Sequence, residues 1–404
     1  MNSMKGIISL LVFLFAYMGF SQGSIDALDK TLNSIYEKGH LPGFAVALVT
    51  PSGITFQKGY GYANKETKEP YTIETVQNIG SVSKTFIGVA LMKAIELEKL
   101  TLDMPINEIL PFAVNNPKYP DVPITVKHLA THTSSILDTE NYNKSYIFEN
   151  LNEITPEKFE KNEYKELKVI AKNKRYALKD FLINHLTKDG LWYSKKNFLK
   201  NRPGERYEYS NSGSALLAYI IEEATGIPFV KFTQEYILNP IEMSASGWSY
   251  TAIDKSKHAK TYYQSGNKVP EYSLITYPDG GFRTSIIDLS KYLNTMMKGY
   301  YGEESSILKK NSYEKMMTPK LTKKQYNTKE LKDNQGLLWE SKPSGTIGHN
   351  GSDPGIFTLM YFKKQDRAGG IIFTNTDIDG NIEASESIQQ IWIQIRKYQK
   401  ENKK

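Results

Sequence analysis

The sequence predicts a mixed α/β protein (α+β in arrangement) in which one sheet is closed by both ends of the chain and a helical region is inserted between them. Three observations carry this. Strand-like runs with turn signals cluster near both termini, helical periodicity dominates the middle, and no repeat or low-complexity linker divides the 404 residues. A single domain with two regions follows.

The first element is not part of that domain. A short basic start ending at Lys5 precedes an apolar run over residues 6–20, with Gly19 and Ser21 placed for cleavage, so residues 1–21 read as a signal peptide and 22–404 as the mature chain. The run is shorter than the roughly 20 apolar residues a spanning helix wants. No stable membrane anchor is expected, and the protein is expected to be exported to the periplasm or the medium. Residues 26–38 then have helical spacing through Leu28, Leu32 and Ile35. Two β-rich runs, 44–50 and 54–62, flank Thr-Pro-Ser-Gly, a hairpin signature. Residues 83–99 are apolar on most faces and free of Pro, which predicts a buried helix. From about 101 to 280, helical patches alternate with Pro, Gly and Asn loops. Within them 141–201 is dense in Lys, Glu and Asn and reads as a surface insertion carrying a helix or two. A second hairpin spans 355–362 and 369–376, and 382–398 forms a closing helix. The sheet region is thus about 25–80 and 281–398, and the helical region about 81–280.

Composition removes several function classes. A 40% hydrophobic fraction with 24% charged residues suits a packed core, not disorder. The absence of cysteine excludes thiol nucleophiles, Cys-based zinc sites and Fe–S clusters. The net charge of +7 comes from 51 basic residues scattered among 44 acidic ones, and only six are Arg. Without a basic stripe or an aromatic-interleaved motif, nucleic acid is not an expected partner.

Ser81-Val-Ser-Lys84 is the first candidate site. The S-x-x-K pattern also occurs at Ser265/Lys268, Ser306/Lys309 and Ser312/Lys315. What sets the first apart is its place at the head of the long apolar helix, after Gly80. Three residues apart on a helix, Ser81 and Lys84 share a face. A serine hydroxyl is a poor nucleophile until a base takes its proton, and a buried lysine is neutral often enough to do so. The helix N-terminus adds unpaired N–H groups where an oxyanion would form. Taken alone, the four residues are more simply read as a plain helix cap beside a solvated lysine. Tyr209-Ser-Asn211 follows Pro-Gly-Glu and feeds another apolar helix, so a phenol and an amide can point into a cleft; a packed Tyr and a capping Asn is the plainer alternative. His349-Asn-Gly351 precedes a strand, and the next N–H, at Ser352, is placed to complete an oxyanion hole; a simple turn entering a strand is the alternative. His128 and His132 have metal-ligand spacing, but no Glu follows His128, so they are read as structural and no metal is expected.

In combination and in this order, these motifs resemble the serine β-lactamase and penicillin-binding-protein superfamily, in particular its class C β-lactamase, esterase and D-aminopeptidase branch. The resemblance extends to Ile79–Lys84, Ile124–Thr133, Pro203–Gly213, Pro278–Arg283 and Gly348–Gly355, and covers about residues 25 to 398. It implies a β-lactamase/transpeptidase-like fold: an antiparallel sheet flanked by N- and C-terminal helices plus an all-helical region, with the site in the cleft between them. It implies that Ser81 attacks an ester or amide carbonyl, that Lys84 and Tyr209 share the acid–base work, and that Asn211, His349, Gly351 and Ser352 bind substrate. The N–H groups of Ser81 and Ser352 would hold the oxyanion. No cofactor is implied, and the partner is a small-molecule or peptide substrate. Two departures stand out. His349 replaces the usual Lys, which points toward esterases and D-aminopeptidases and away from penicillin turnover, and makes carboxylate binding sensitive to pH between about 6 and 8. Ser135 replaces a usual Gly. A true β-lactamase and a catalytically silent binding protein of the same fold are the alternative readings.

The exported protein should start at about residue 22. N-terminal sequencing of material from periplasm or medium checks this; a chain still beginning at Met1 and sedimenting with membranes would mean an anchor.

Overall fold

The computed structural model describes residues 25–326 and 333–403. The signal-peptide reading of residues 1–21 lies outside them. Among the described residues no helix is long and apolar enough to cross a membrane.

The chain opens with helix α1 (25–36), then the hairpin β1 (Gly43–Thr50) and β2 (Gly53–Asn64), and the short strands β3 (Glu69–Pro70) and β4 (Val76–Asn78). Helix α2 (Ser83–Glu96) begins the helical region, followed by α3 (Val126–Ala130), strand β5 (Tyr146–Phe148), α4 (Lys161–Ile170), α5 (Leu178–Leu186), α6 (Asn211–Thr225), α7 (Phe229–Thr233), β6 (Tyr272–Leu274) and α8 (Tyr277–Gly280). Strand β7 (Arg283–Ser285), helices α9 (Ile286–Tyr300) and α10 (Lys310–Met317), strands β8 (Asn334–Gln335), β9 (Glu340–Ser341), β10 (Thr346–Asp353), β11 (Ile356–Lys363) and β12 (Ala368–Thr374), and helix α11 (Ile382–Glu401) complete it.

The main sheet is antiparallel with order β3-β2-β1-β12-β11-β10-β9-β8, so strands from the two chain ends meet at the β1–β12 seam. Alternation explains why its centre reads as continuous apolar sequence. Ala45, Ala47 and Val49 of β1 face the large core shared with the helical region, whereas Phe44, Val46 and Leu48 face a second core. That second core is closed by Leu28, Leu32 and Ile35 of α1 and by Ile388, Ile391 and Ile395 of α11, each at helical spacing. Both terminal helices therefore roof one face, as the sequence predicts. The other face meets α9 and α2. Helix α2 is buried along nearly its whole length, which is why it lacks an amphipathic pattern.

The insertion is less superficial than its composition predicts. It carries the expected helices, α4 and α5, but β5 pairs with β6, and Leu182, Leu186 and Phe198 join the main core. The charged residues that mark it as surface hide these anchors.

Ile391→Ala, fully buried between α11 and the sheet, should cost about 2–5 kcal/mol of stability through lost burial and the cavity left behind. Urea unfolding measures it; a loss below about 1 kcal/mol would mean this core collapses around the gap.

Candidate active site

Ser81 sits in the tight turn Gly80–Val82 that leads into α2. The turn is pinned from both sides: the Gly80 N–H donates to Asn78 Oδ1 at 2.9 Å and the Ile79 N–H to Phe282 O at 3.0 Å. Gly80 has φ +52°, a left-handed conformation that disfavours a side chain. Against this turn lies β10. A Cβ on Gly351 would fall 2.1 Å from Ile79 O and 2.8 Å from Ser81 N, and one on Gly80 would fall 3.1 Å from Ser352 N. Two main chains therefore lie flush with no side chain between them.

The direction of the Ser352 amide follows from the ladder. Thr346 O accepts from Lys342 N on the β9 side, and N–H groups alternate along a strand, so the even-numbered residues of β10 turn their amides away from β11. Strand β9 pairs only as far as Gly348, leaving the Ser352 N–H on the open edge that faces Gly80 and Ser81. The Ser352 side chain is exposed and donates to Asp379 Oδ2 at 2.6 Å. What Ser352 brings to the cleft is its amide.

Lys84 has no exposed surface. Its Nζ lies 3.0 Å from Ser81 Oγ, 2.7 Å from Asn211 Oδ1 and 2.6 Å from the main-chain oxygen of Asp279. Burial lowers its pKa from 10.5, opposed by the carboxylates of Asp279, Asp138, Asp353 and Glu340. The three neighbours suit both protonation states. An ammonium donates to all three, while a neutral amine donates to the two carbonyls and turns its lone pair to the Ser81 hydroxyl. Tyr209 is partly buried, with its ring centroid 5.0 Å from Lys84 Nζ. Burial pushes its phenol well above 10, against the pull of its bond with Ser81, so it stays protonated at neutral pH and serves as a donor.

Asn211 opens α6. Ser210 caps that helix through its hydroxyl, which accepts from Gly213 N at 2.9 Å. The Asp138 carboxylate takes the Asn211 and Ser212 amides at 2.6 and 2.9 Å, placing negative charge at the positive helix end.

His349 differs from its expected state. Its ring is on the same face of β10 as Gly351, 6.2 Å from that of Tyr209, but it is 1% exposed. Nδ1 contacts Asn350 O at 2.5 Å, and Glu340 Oε1 is 3.9 Å from Nε2. Burial lowers its pKa below 6.5, with Glu340 opposing. The imidazole is thus mostly neutral at neutral pH, and its titration is shifted down from where an ordinary histidine would change charge.

Sequence reasoning missed two buried carboxylates. Asp279, inside the Pro278–Arg283 motif, accepts from Tyr142 OH at 2.9 Å; Asp353 accepts from Tyr146 OH at 2.7 Å and from Asn78 Nδ2 at 3.1 Å. Tyr142 and Tyr146 belong to the segment expected to be a surface insertion, so that expectation is corrected: its first residues line the site from within. Burial pushes Asp279 up to about 7, with Lys84 opposing, and Asp353 up to about 6, with Tyr146 opposing. His128 and His132 each use Nδ1 to accept a backbone amide, from Thr125 and Ser210 respectively. Ser135 has φ +69°, which explains why glycine is the easier residue there. Its hydroxyl accepts from Asn116 Nδ2 at 2.9 Å.

A lysine-flanked serine at the head of a buried helix, set against the edge of an antiparallel sheet, defines the serine β-lactamase and penicillin-binding-protein superfamily. The chain belongs to the Beta-lactamase family, whose sequence model matches residues 28–390. Protein flp of Staphylococcus aureus (strain N315) is 27% identical over 271 residues, 66% of this chain and 47% of that protein, so the chain spans about half the length of that relative. PbpX of Bacillus subtilis (strain 168) is 26% identical over 87% of this chain and 75% of its own length. Among solved structures, an octameric penicillin-binding protein homologue from Pyrococcus abyssi superposes with TM-score 0.68 at 24% identity, covering 91% of this chain and 77% of that one. A penicillin-binding protein from Bacillus halodurans gives 0.64 at 22%, covering 89% and 98%. At these identities the likeness to the two structures is one of fold.

Asp279 carries a pH prediction. Its folded pKa of about 7 is above the ordinary 3.8, so its contribution to stability is present below about pH 3.8 and lost as pH rises through about 7. Asp279→Asn should therefore gain in thermal midpoint relative to the parent protein as pH goes from 4 to 7.5. A difference that stays constant across that range refutes the assignment.

Proposed function

We propose that the chain is a serine hydrolase that forms an acyl-enzyme on Ser81 and acts on esters or amides, including peptides and D-amino-acid-containing substrates, after export. The observation that carries this is the fully buried Lys84 amine 3.0 Å from the Ser81 hydroxyl. Neutral Lys84 takes the Ser81 proton as Oγ bonds to the substrate carbonyl carbon. The Ser81 and Ser352 amides hold the resulting oxyanion, at about 3 kcal/mol per donor. As the bond to the leaving group breaks, that group receives a proton from protonated Tyr209, which recovers one from Lys84. Water then attacks the acyl-enzyme by the reverse sequence, releasing the acid and restoring the Ser81 hydroxyl. Asn211 and His349 orient the substrate, the latter as a neutral imidazole, which favours esters and uncharged groups over the carboxylate a Lys would pair.

Ser81→Ala should lower hydrolysis of p-nitrophenyl acetate by about 10³-fold or more with the fold intact, and a fluorophosphonate probe should leave one adduct, on the peptide containing Ser81. Retention of more than a tenth of the activity, or labelling at Ser265, Ser306 or Ser312, overturns the assignment. Nitrocefin and D-Ala-p-nitroanilide assayed alongside separate β-lactam turnover from peptidase action.

A further inference from the structure

We propose that His132, read from sequence as merely structural, is the positioning residue for Tyr209; this rests on the acyl-enzyme reading above. The two amides that flank Tyr209 both end on this one residue. Glu208 N donates to His132 O at 2.8 Å, and Ser210 N donates to His132 Nδ1 at 3.2 Å. The imidazole also packs on the phenol ring, with centroids 4.5 Å apart and planes 31° from parallel. Main chain before, main chain after and ring face are thus fixed together.

Two further features suit His132 to this task. It holds φ +53°, a left-handed conformation costly for a residue with a Cβ, and is buried. Its neighbours enforce that conformation: His132 N donates to Leu129 O and Thr133 N to His128 O. Because Nδ1 accepts, the neutral ring carries its proton on Nε2. Burial, reinforced by Lys84 and His349, holds its pKa well below 6.5, so the accepting lone pair survives at working pH. Ser210, held by the same ring, caps the helix that begins at Asn211. His132 therefore sets Tyr209 in register with the amide touching Lys84. Displacement of such a group by about 1 Å costs on the order of 10²-fold in rate.

The test is a double-mutant cycle read with p-nitrophenyl acetate turnover and with the rate of Ser81 labelling by a fluorophosphonate. His132→Ala should lower kcat about 10²-fold and leave KM within about threefold. His132→Asn, whose Oδ1 stands where Nδ1 does and which tolerates positive φ, should recover most of that loss. In a Tyr209→Phe background His132→Ala should add less than about twofold, because the group it positions is already gone. Independent, multiplicative losses overturn the proposal, as does a Tyr209→Phe variant as active as the parent. If His132→Ala does not fold, Asn is compared with Gln, whose amide reaches elsewhere: Gln falling at least about tenfold below Asn supports the proposal, and equal activity overturns it. Failure of the acyl-enzyme reading is seen separately, as activity or labelling that survives Ser81→Ala.

Discussion

The burial of one cation sets the terms for the rest of the site. A lysine ammonium without exposed surface is costly unless each donor has an acceptor and opposite charge is near. Lys84 has its acceptors in Ser81, Asn211 and the Asp279 carbonyl, which come from the turn leading into α2, from α6 and from α8. Those elements must meet at one point, and α2 can reach it only by running through the core. Its unbroken apolar sequence is therefore the consequence of where Lys84 has to be. Two of the carboxylates that oppose the loss of its charge, Asp279 and Asp353, bring their own problem, since they too are buried. Tyr142, Tyr146 and Asn78 answer it with hydrogen bonds.

The second constraint is the contact between Gly351 and the Ser81 turn. At 2.1 Å from Ile79 O there is no room for a methyl group, and that closeness is what brings two amides from separate parts of the chain to one edge. Strand β9 stops pairing at Gly348. A longer β9 would satisfy the Ser352 amide within the sheet. The open edge here is kept free of sheet partners and is covered by the Ser81 turn.

Much of this was legible in the residues. Both hairpins, the terminal helices and α2 follow from alternation, turn chemistry and apolar spacing, because these are local rules. Ser81, Lys84, Tyr209 and Asn211 could be picked out from repeats of their motifs by context, the head of an apolar helix or a Gly-rich approach to one. What could not be read was burial by distant parts of the chain. His349 looks like an ordinary imidazole near a turn, and its lowered pKa comes from burial, which the nearby Glu340 carboxylate only partly opposes. The HLATH spacing reads as a pair of structural histidines. It gave no hint that one of them grips both neighbours of Tyr209, since that contact joins residues about eighty apart.

The insertion shows the same limit from the other side. Its composition is that of a solvated surface, and most of it is. Yet Tyr142 and Tyr146 lie at its start, and β5 ties them to β6, just before α8 and the Asp279 that it carries. A hydroxyl bonded to a buried carboxylate stabilises the charged form, and withdrawing it raises that carboxyl further. Asp279 in turn opposes the loss of charge at Lys84. The chain of effects runs from Tyr142 at the start of the insertion, through Asp279, to the amine beside Ser81. Segments that differ most between relatives are usually assigned to substrate choice alone. Here the insertion also helps to set the charge balance around Lys84, so grafting a different insertion onto this sheet would change the electrostatics at that amine even with every motif residue left in place.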